Sequence, residues 1–221
     1  MKPVAVVLSG CGVFDGSEIH EAVLTLLSLD RAGAAYKCLA PNKNQRHVIN
    51  HLAKAEADEQ RNVLNESARI ARGDIFDLAK AKAIDFRAVI LPGGYGAVKN
   101  LCDYAEQKTA CHVEPALETF LKAMHQERKV IGAMCIAPVI LARVFGRNGS
   151  PRITIGKDAD TAAHLETLGA KHIACKVDDI VVDADHRMIT TPAYMLAHSI
   201  REAATGIDKL VHEVLKMSQS A

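Results

Sequence analysis

The sequence has no tryptophan, few aromatic residues of any kind and no block of like charge. Aromatic residues make up 4% of the 221 residues, and 27 basic and 26 acidic side chains give a formal net charge of +1. A nucleic-acid-binding chain usually carries a basic patch interleaved with aromatic side chains, so nucleic acid is not an expected partner. Apolar runs also stay well below the roughly 18–20 residues that span a bilayer. The sequence therefore predicts no membrane partner.

Cysteine is scattered rather than paired. The six cysteines lie at positions 11, 38, 102, 111, 135 and 175, and no CxxC motif occurs. This spacing excludes a dense disulfide framework, and His20, His125, His186 and His198 lack the H-x-x-x-H and H-E-x-x-H spacings of zinc sites. The opening Met1-Lys2-Pro3-Val4 leads directly into a strand pattern rather than into a secretory leader. We expect no metal, no cofactor and a reducing cytoplasm.

Continuous apolar runs alternate with helical patterns along most of the chain. Val4–Leu8, Ala88–Leu91 and Val130–Met134 are typical of strands buried on both faces of a parallel sheet. This alternation predicts an α/β fold with a doubly wound, mostly parallel sheet, in a single domain over residues 1–221. The segment at about 42–82 lacks such regularity and is predicted to be an insertion over one end of the sheet.

The remaining elements are predicted from local periodicity and from cap residues. Ser17 is expected to cap the first helix, whose apolar positions recur at helical spacing. Further predicted elements are a second strand at 35–39, a helix near 114–126, a helix from 136 to about 146, short strands at 153–155, 180–182 and 188–191, and a final helix from 193 to about 216.

Cys135 lies where a buried strand turns abruptly into an apolar helix. A side chain at such a corner is directed outward on a sharp turn, and the backbone N–H groups that follow it favour a thiolate and can bind an oxyanion. Ala133 and Ala137 provide the small neighbours that the corner requires. The alternative, a buried structural cysteine, is the commoner situation for cysteines in general. The position at the corner favours a nucleophile.

Two loops are expected beside this cysteine, because ligands of open α/β sheets bind at the carboxyl ends of the strands. Gly93 and Gly94 follow one strand and can offer N–H groups to a substrate oxygen, although an ordinary glycine turn is the alternative. Cys11, in the loop after the first strand, either lines the cleft or packs beneath the glycines. Asn100 either contacts substrate or caps the helix after the glycine loop.

Proton-transfer candidates lie at the start of the first helix. Glu18, His20 and Glu21 are all local, and the residues alone do not choose between the two carboxylates. A carboxyl group beside a cysteine in a dry cleft would have its pKa raised by desolvation. The alternative is that these carboxylates only complement the helix dipole.

Long motifs spread over the chain resemble those of a known superfamily. They are Leu8–Glu21 with its S-G-C-G-V-F-D-G-S-E-I-H-E core, the P-G-G-Y-G-A segment from Pro92, M-C-I-A-P from Met134, V-D-D-I-V-V-D from Val177 and T-T-P-A-Y-M-L-A from Thr190. Together they resemble the class I glutamine-amidotransferase-like superfamily, in its PfpI-type branch, and within it the ElbB-type bacterial glyoxalases. The resemblance implies a flavodoxin-like fold, a homodimer and cofactor-independent conversion of glyoxal, a small dicarbonyl, to glycolate through a cysteine hemithioacetal.

The resemblance also implies roles for individual residues. Cys135 matches the nucleophile, Glu21 the buried carboxylate, and Gly93, Gly94 and the N–H of Ile136 the oxyanion-binding groups. One departure is the histidine that many relatives place about twenty residues after the nucleophile, where this chain has Ile153–Lys157 and no histidine. The His-Pro-Glu element of amidotransferases is also absent, which argues against glutamine hydrolysis.

Two alternatives stay open at this stage. One is a deglycase or another cysteine hydrolase of the same fold, which would use the same hemithioacetal chemistry. The other is a non-catalytic stress or redox interaction protein, associated with isoprenoid biosynthesis, whose cysteine oxidises.

Overall fold

The computed structural model describes residues 2–219. Its central feature is a seven-stranded sheet in the order β10-β11-β7-β6-β1-β2-β5, in which every neighbouring pair is parallel except the edge pair β10–β11. The strands of this sheet are β1 (Val4–Val7), β2 (Tyr36–Ala40), β5 (Ile75–Asp77), β6 (Ala88–Leu91), β7 (Val130–Met134), β10 (Val181–Asp183) and β11 (Met188–Thr191). The predicted doubly wound, mostly parallel sheet is therefore confirmed.

Helices cover both faces of this sheet. They are α1 (Ile19–Arg31), α2 (Val63–Ile70), α3 (Tyr95–Lys99), α4 (Tyr104–Gln107), α5 (Pro115–Gln126), α6 (Pro138–Gly149), α7 (Ala159–Thr167) and α8 (Ile200–Met217). Two further small sheets pair β3 (Ile49–Asn50) with β4 (Ala55–Glu56), and β8 (Arg152–Ile153) with β9 (Lys171–His172). Among the helices within residues 2–219, none has both the length and the apolar character needed to cross a membrane.

The alternation of side chains along the strands creates two hydrophobic layers. In β1, Ala5 and Val7 pack with α5 and α6, whereas Val4 and Val6 pack with α1 and α8 on the opposite face. All four residues are fully buried. This two-sided burial explains why the strands read as continuous apolar runs rather than as alternating ones.

The segment 42–82 is less irregular than predicted. It begins with the β3–β4 hairpin, which lies outside the central sheet, but α2 and β5 then continue the βαβ pattern from β2. Asn62 caps α2 by accepting the N–H of Asn65. The prediction of an insertion is therefore wrong for the part after about residue 62, because that part supplies an edge strand.

Several predicted boundaries also need correction. Glu18, and not Ser17, caps α1, since its side chain accepts the N–H of Glu21. Helix α6 continues to Gly149 instead of ending near Gly146. The last helix begins at Ile200 behind a Ser199 cap, and residues 193–195 form a separate 3₁₀ turn.

Candidate functional site

Four neighbouring strands end at one edge of the sheet and bring distant parts of the chain together. In the order β11-β7-β6-β1, these strands are followed by Pro192, Cys135, Pro92 and Leu8. Helix α1 also begins here, after the loop that follows β1. Carboxyl ends of parallel strands are where ligands bind in open α/β sheets. The candidate site lies at this edge.

Cys135 occupies the predicted strand-to-helix corner. Its φ is 58°, in the left-handed region that non-glycine residues rarely adopt. The backbone N–H of Cys135 donates to Thr191 O at 3.1 Å, and the flanking Ala133 and Ala137 are fully buried. Cys135 itself is 8% exposed. The turn thus holds the thiol at the sheet edge in an almost fully buried position.

Glu21 is the carboxylate that the fold places against this thiol. It is fully buried, and its two oxygens are held separately: Gly93 N–H donates to Oε2 at 2.8 Å, and Tyr194 N–H donates to Oε1 at 3.1 Å. The Cys135 thiol lies beside the same carboxyl group and interacts with it. The structure therefore selects Glu21 over Glu18, whose side chain caps α1 instead.

Burial controls the proton affinity of both partners. Desolvation raises the pKa of Glu21 to about 7, against opposing hydrogen bonds from the N–H groups of Tyr194 and Gly93. Desolvation also raises the pKa of Cys135 well above its ordinary value, and the charge of Glu21 raises it further. Two negative charges cannot be accommodated together in this dry space.

The prediction that Cys135 is a thiolate in the resting protein must therefore be corrected. At neutral pH the buried pair holds at most one negative charge, which lies on the Glu21 carboxylate because the pKa of Cys135 is raised well above its ordinary value. The thiol ionises when Glu21 carries the proton, so the sulfur becomes nucleophilic as the proton moves between the two side chains. This arrangement suits a proton that is passed back and forth during a reaction.

The backbone donors at the site have different partners. The N–H groups of Gly94 and Ile136 hydrogen-bond the sulfur and lower the pKa of Cys135. Gly93, in contrast, directs its N–H to Glu21. Its predicted oxyanion-binding role is therefore wrong in this geometry, because the donor is already used to orient the carboxyl group.

Asn100 does not face the reactive pair formed by Cys135 and Glu21. It is almost fully buried, its side-chain amide donates to Ser9 O and Asp15 O, each at 2.8 Å, and its Oδ1 accepts the N–H of Arg46 at 2.9 Å. These bonds tie two loops at the rim of the site to the end of α3. The predicted substrate contact is replaced by a structural role, because the amide's hydrogen bonds go to the backbone.

Cys11 is half-buried in the loop after β1, and its surroundings differ from those of Cys135. Burial raises the pKa of this thiol, the charges of Glu66 and Asp15 raise it further, and the charge of Arg69 opposes them. Two of these neighbours belong to α2, away from Glu21. The contacts favour the packing alternative for Cys11 over a role in the cleft.

Tyr194 belongs to the reactive pair's immediate surroundings and was not singled out as a candidate from sequence. Its N–H binds Glu21 Oε1, and its hydroxyl hydrogen-bonds His20 Nδ1 at 2.8 Å. Its position three residues after the end of β11 was a usable signal. Ile153–Lys157, the segment where many relatives have a histidine, has a structural role in this chain. The Thr154 N–H donates to Thr190 Oγ1, and the Thr154 hydroxyl accepts the N–H of Gly156.

No described residues cluster as a metal site would require. Across residues 2–219, no group of three or more His, Cys, Asp and Glu side chains is placed to hold a metal ion. All six cysteines are free thiols.

Comparison with known proteins places this architecture among relatives of the same fold. No family model matches the sequence. A human protein, "Glutamine amidotransferase-like class 1 domain-containing protein 3, mitochondrial", is 43% identical over 225 residues, a match that covers 97% of this chain and 83% of the relative. At this identity and coverage, the two chains share a family.

Solved structures agree with this relationship. The chain is similar, with a TM-score of 0.90 and 34% identity, to an isoprenoid biosynthesis protein with an amidotransferase-like domain from Ehrlichia chaffeensis, over 97% of this chain and 99% of that one. A DJ-1 superfamily protein from Salmonella typhimurium shares the fold, with a TM-score of 0.58 and 20% identity over 100% of this chain and 95% of that one. The flavodoxin-like fold expected from the sequence is thereby confirmed. The chain belongs to the glutamine amidotransferase-like class 1 domain family, with the DJ-1 superfamily fold.

Proposed function

We propose that the protein is a cofactor-independent glyoxalase that converts glyoxal to glycolate. The observation that supports this proposal is the proximity of the Cys135 thiol to the fully buried Glu21, whose pKa is raised to about 7. A nucleophile in contact with a carboxyl group that exchanges its proton near neutral pH provides the two functions that this isomerisation needs.

In the first step, the sulfur adds to one aldehyde carbon of glyoxal. The thiol proton moves to Glu21 as the carbon–sulfur bond forms, and the aldehyde oxygen then takes that proton to become the hemithioacetal hydroxyl. The N–H groups of Gly94 and Ile136 already point at the sulfur, so they lie next to the oxygen on which negative charge develops. One such donor contributes about 10²–10³-fold to the rate.

In the second step, the Glu21 carboxylate removes the proton from the carbon bonded to sulfur and gives an enediolate. Glu21 returns this proton to the neighbouring carbon, the hemithioacetal hydroxyl passes its proton to the former aldehyde oxygen, and the result is a glycolyl thioester of Cys135. The hydrogen bonds from Gly93 and Tyr194 fix the carboxyl group during both transfers. A positioned acid–base group typically contributes about 10²–10⁴-fold.

In the last step, water attacks the thioester carbonyl, the carbon–sulfur bond breaks, and the sulfur regains its proton. The sum of the steps is glyoxal plus water giving glycolate, with no net oxidation and no cofactor. Because a histidine is missing from the position where many relatives have one, we expect water activation to be slow and turnover to be low.

The near-complete burial of Cys135 favours a small substrate. The residue is 8% exposed and Glu21 is sealed from solvent. A free dicarbonyl of two or three carbons reaches such a thiol more readily than a glycated side chain on a folded protein. This difference supports the glyoxalase over the deglycase alternative.

Cys135→Ala, Cys135→Ser and Glu21→Gln, compared with the native protein, test the proposal. Glyoxal loss and glycolate formation are followed together by NMR, and Cys135 labelling by iodoacetamide is followed by mass spectrometry. Both cysteine variants are expected to lose activity, whereas Glu21→Gln is expected to lose activity and keep its labelling. Cys175→Ala, which removes another buried thiol, is the matched control and is expected to remain active.

Two outcomes contradict the proposal. Glycolate formation that persists in Cys135→Ala removes the nucleophile from the mechanism. Rapid oxidation of Cys135 by peroxide in a native protein that forms no glycolate favours the redox alternative.

The six free thiols point to a reducing compartment. The human relative is a mitochondrial protein, so the comparisons do not support the cytoplasm predicted from the sequence, and we propose a mitochondrial-type reducing compartment as the alternative.

A further inference from the structure

The fold joins Glu21 to an exposed residue of its own helix through Tyr194. The Tyr194 N–H donates to Glu21 Oε1 at 3.1 Å, and the hydroxyl of the same residue hydrogen-bonds His20 Nδ1 at 2.8 Å. The two bonds fix the tyrosine at its backbone and at the end of its side chain. His20 lies on the outer side of α1, where its side chain is 47% exposed.

The backbone around Tyr194 includes a strained residue, and the hydrogen bonds of the turn do not fix the Tyr194 N–H. Ala193 has a φ of 44°, which is unfavourable for a residue with a Cβ, and the turn at 193–195 is a single 3₁₀ turn between β11 and α8. Three backbone hydrogen bonds close this turn, from the N–H groups of Met195, Leu196 and Ala197, and none of them uses the N–H of Tyr194. Contacts made by the Tyr194 side chain therefore help to determine where its N–H points.

From this geometry we infer that the His20–Tyr194 hydrogen bond is a positioning device that keeps the Tyr194 N–H on Glu21 and so sets the pH range in which Glu21 exchanges its proton. The inference adds a role for His20 and Tyr194 to the proposed function and rests on that function for its catalytic meaning. Neither residue needs to contact the substrate.

The electrostatic surroundings agree with this role. Desolvation raises the pKa of Glu21, and the Tyr194 N–H is the strongest of the groups that oppose it. The other groups that face Glu21 are Glu18 from α1, the Gly93 N–H from the loop after β6, and Cys135 from the corner after β7. If the Tyr194 N–H no longer bound Glu21, desolvation would therefore raise the pKa of Glu21 further.

The central experiment measures the protonation of Glu21 directly. The infrared band of a protonated buried carboxyl group is followed against pH, and it is assigned to Glu21 by its loss in Glu21→Gln. Tyr194→Phe and His20→Ala are expected to raise the midpoint by about one pH unit, the effect of weakening one N–H bond to a carboxylate. His20→Asn, whose side-chain amide can replace Nδ1, is expected to restore the native midpoint.

A matched control separates this effect from general destabilisation. Tyr95→Phe alters an exposed tyrosine on the neighbouring glycine loop and is expected to leave the midpoint unchanged. Because His20 is exposed, His20→Ala is expected to fold even if Tyr194→Phe does not. An unchanged midpoint in folded His20→Ala overturns the inference, as does a shift that His20→Asn fails to reverse.

The glyoxal reaction provides a second, separable readout. If the native protein forms glycolate, the pH profile of kcat should move to higher pH by the same amount in His20→Ala. If the native protein forms none, the proposed function fails, while the infrared titration still decides whether the His20–Tyr194 bond controls Glu21.

Discussion

Gly93 lies so close to Cys135 that a Cβ on the glycine would stand 2.5 Å from the Cβ of the cysteine and 2.7 Å from Oε2 of Glu21. Both distances are too short for non-bonded atoms. The contact between thiol and carboxyl group therefore depends on the absence of a side chain at position 93.

Gly93→Ala is expected to separate the two reactive groups. The added methyl group must displace the thiol, the carboxyl group or the loop, and a displacement of about 1 Å at reacting atoms can cost about 10²-fold in rate. Glycolate formation is the measurement. Gly73→Ala is the control, because its positive φ makes the substitution strained but a Cβ there meets nothing within 4 Å. Equal losses of activity in the two variants would show that destabilisation, and not the site, is responsible.

Glu21 is expected to make stability fall as pH rises towards neutrality. Its pKa is about 7 in the folded protein against an ordinary value of 4.5, so between these values the native state holds a proton that the unfolded chain has released. The contribution is complete below about pH 4.5 and is lost as pH rises through 7, with a slope of up to about 1.4 kcal/mol per pH unit. Urea unfolding of the native protein and Glu21→Gln from pH 4.5 to 8 measures it. A constant difference between the two proteins would contradict the raised pKa.

The thiol is expected to ionise more easily once the neighbouring carboxylate is removed. The charge of Glu21 and the side-chain interaction with it both raise the pKa of Cys135. In Glu21→Gln, the pH midpoint of iodoacetamide labelling should therefore move down although glyoxal turnover is lost. A midpoint that moves up instead would mean that Glu21 stabilises the thiolate.

Asn100→Ala is expected to reduce stability and activity together. The substitution leaves the buried Ser9 O and Asp15 O without their Asn100 partner, and each orphaned buried group costs about 1–3 kcal/mol. The Arg46 N–H, in an exposed residue, also loses its acceptor. Thermal unfolding and glycolate formation measure the two effects. Asn50→Ala is the control, since Asn50 only caps the exposed β3–β4 turn, and it should leave turnover unchanged. Full activity in Asn100→Ala would show that the rim loops do not need this tie.

The expected homodimer can be tested on α1. Ile19, Val23 and Leu27 recur every four residues and are 42%, 47% and 38% exposed, so they form one apolar stripe that a second copy would cover. Val23→Glu should convert the dimer to a monomer in sedimentation velocity. Leu52→Glu, at a hairpin position that is 96% exposed, should remain dimeric. A native monomer would contradict the homodimer, and a dimeric Val23→Glu would place its interface elsewhere.

The sequence predicts the parts of this fold that are governed by burial. Val4–Val7 and Val130–Met134 are buried on both faces, so their apolar runs identify them, and the small residues around Cys135 identify the corner. Edge strand β5 escapes prediction because it has three residues, of which Phe76 is 47% exposed. The Ser199-x-x-Glu202 capping pattern does mark the true start of α8, although apolar periodicity suggests an earlier start.

The sequence predicts which residues form the site better than it predicts the hydrogen bonds between them. Cys135 and Glu21 are both identified by sequence, because each occupies a distinctive position at a strand end or in the first turn of α1. The destination of the Gly93 N–H and the link from Tyr194 to His20 depend on how the ends of β6 and β11 lie relative to α1. Such relationships between separate segments leave no periodic pattern in the chain.

The left-handed backbone conformation of Cys135 lowers the stability of the fold but positions the sulfur for the proposed chemistry. A cysteine there, with a φ of 58°, costs about 1–2 kcal/mol that glycine would not. Random mutagenesis screened for heat resistance alone should thus tend to eliminate the sulfur of Cys135, and thermostabilised derivatives of this protein that keep the cysteine would have to gain stability at other positions.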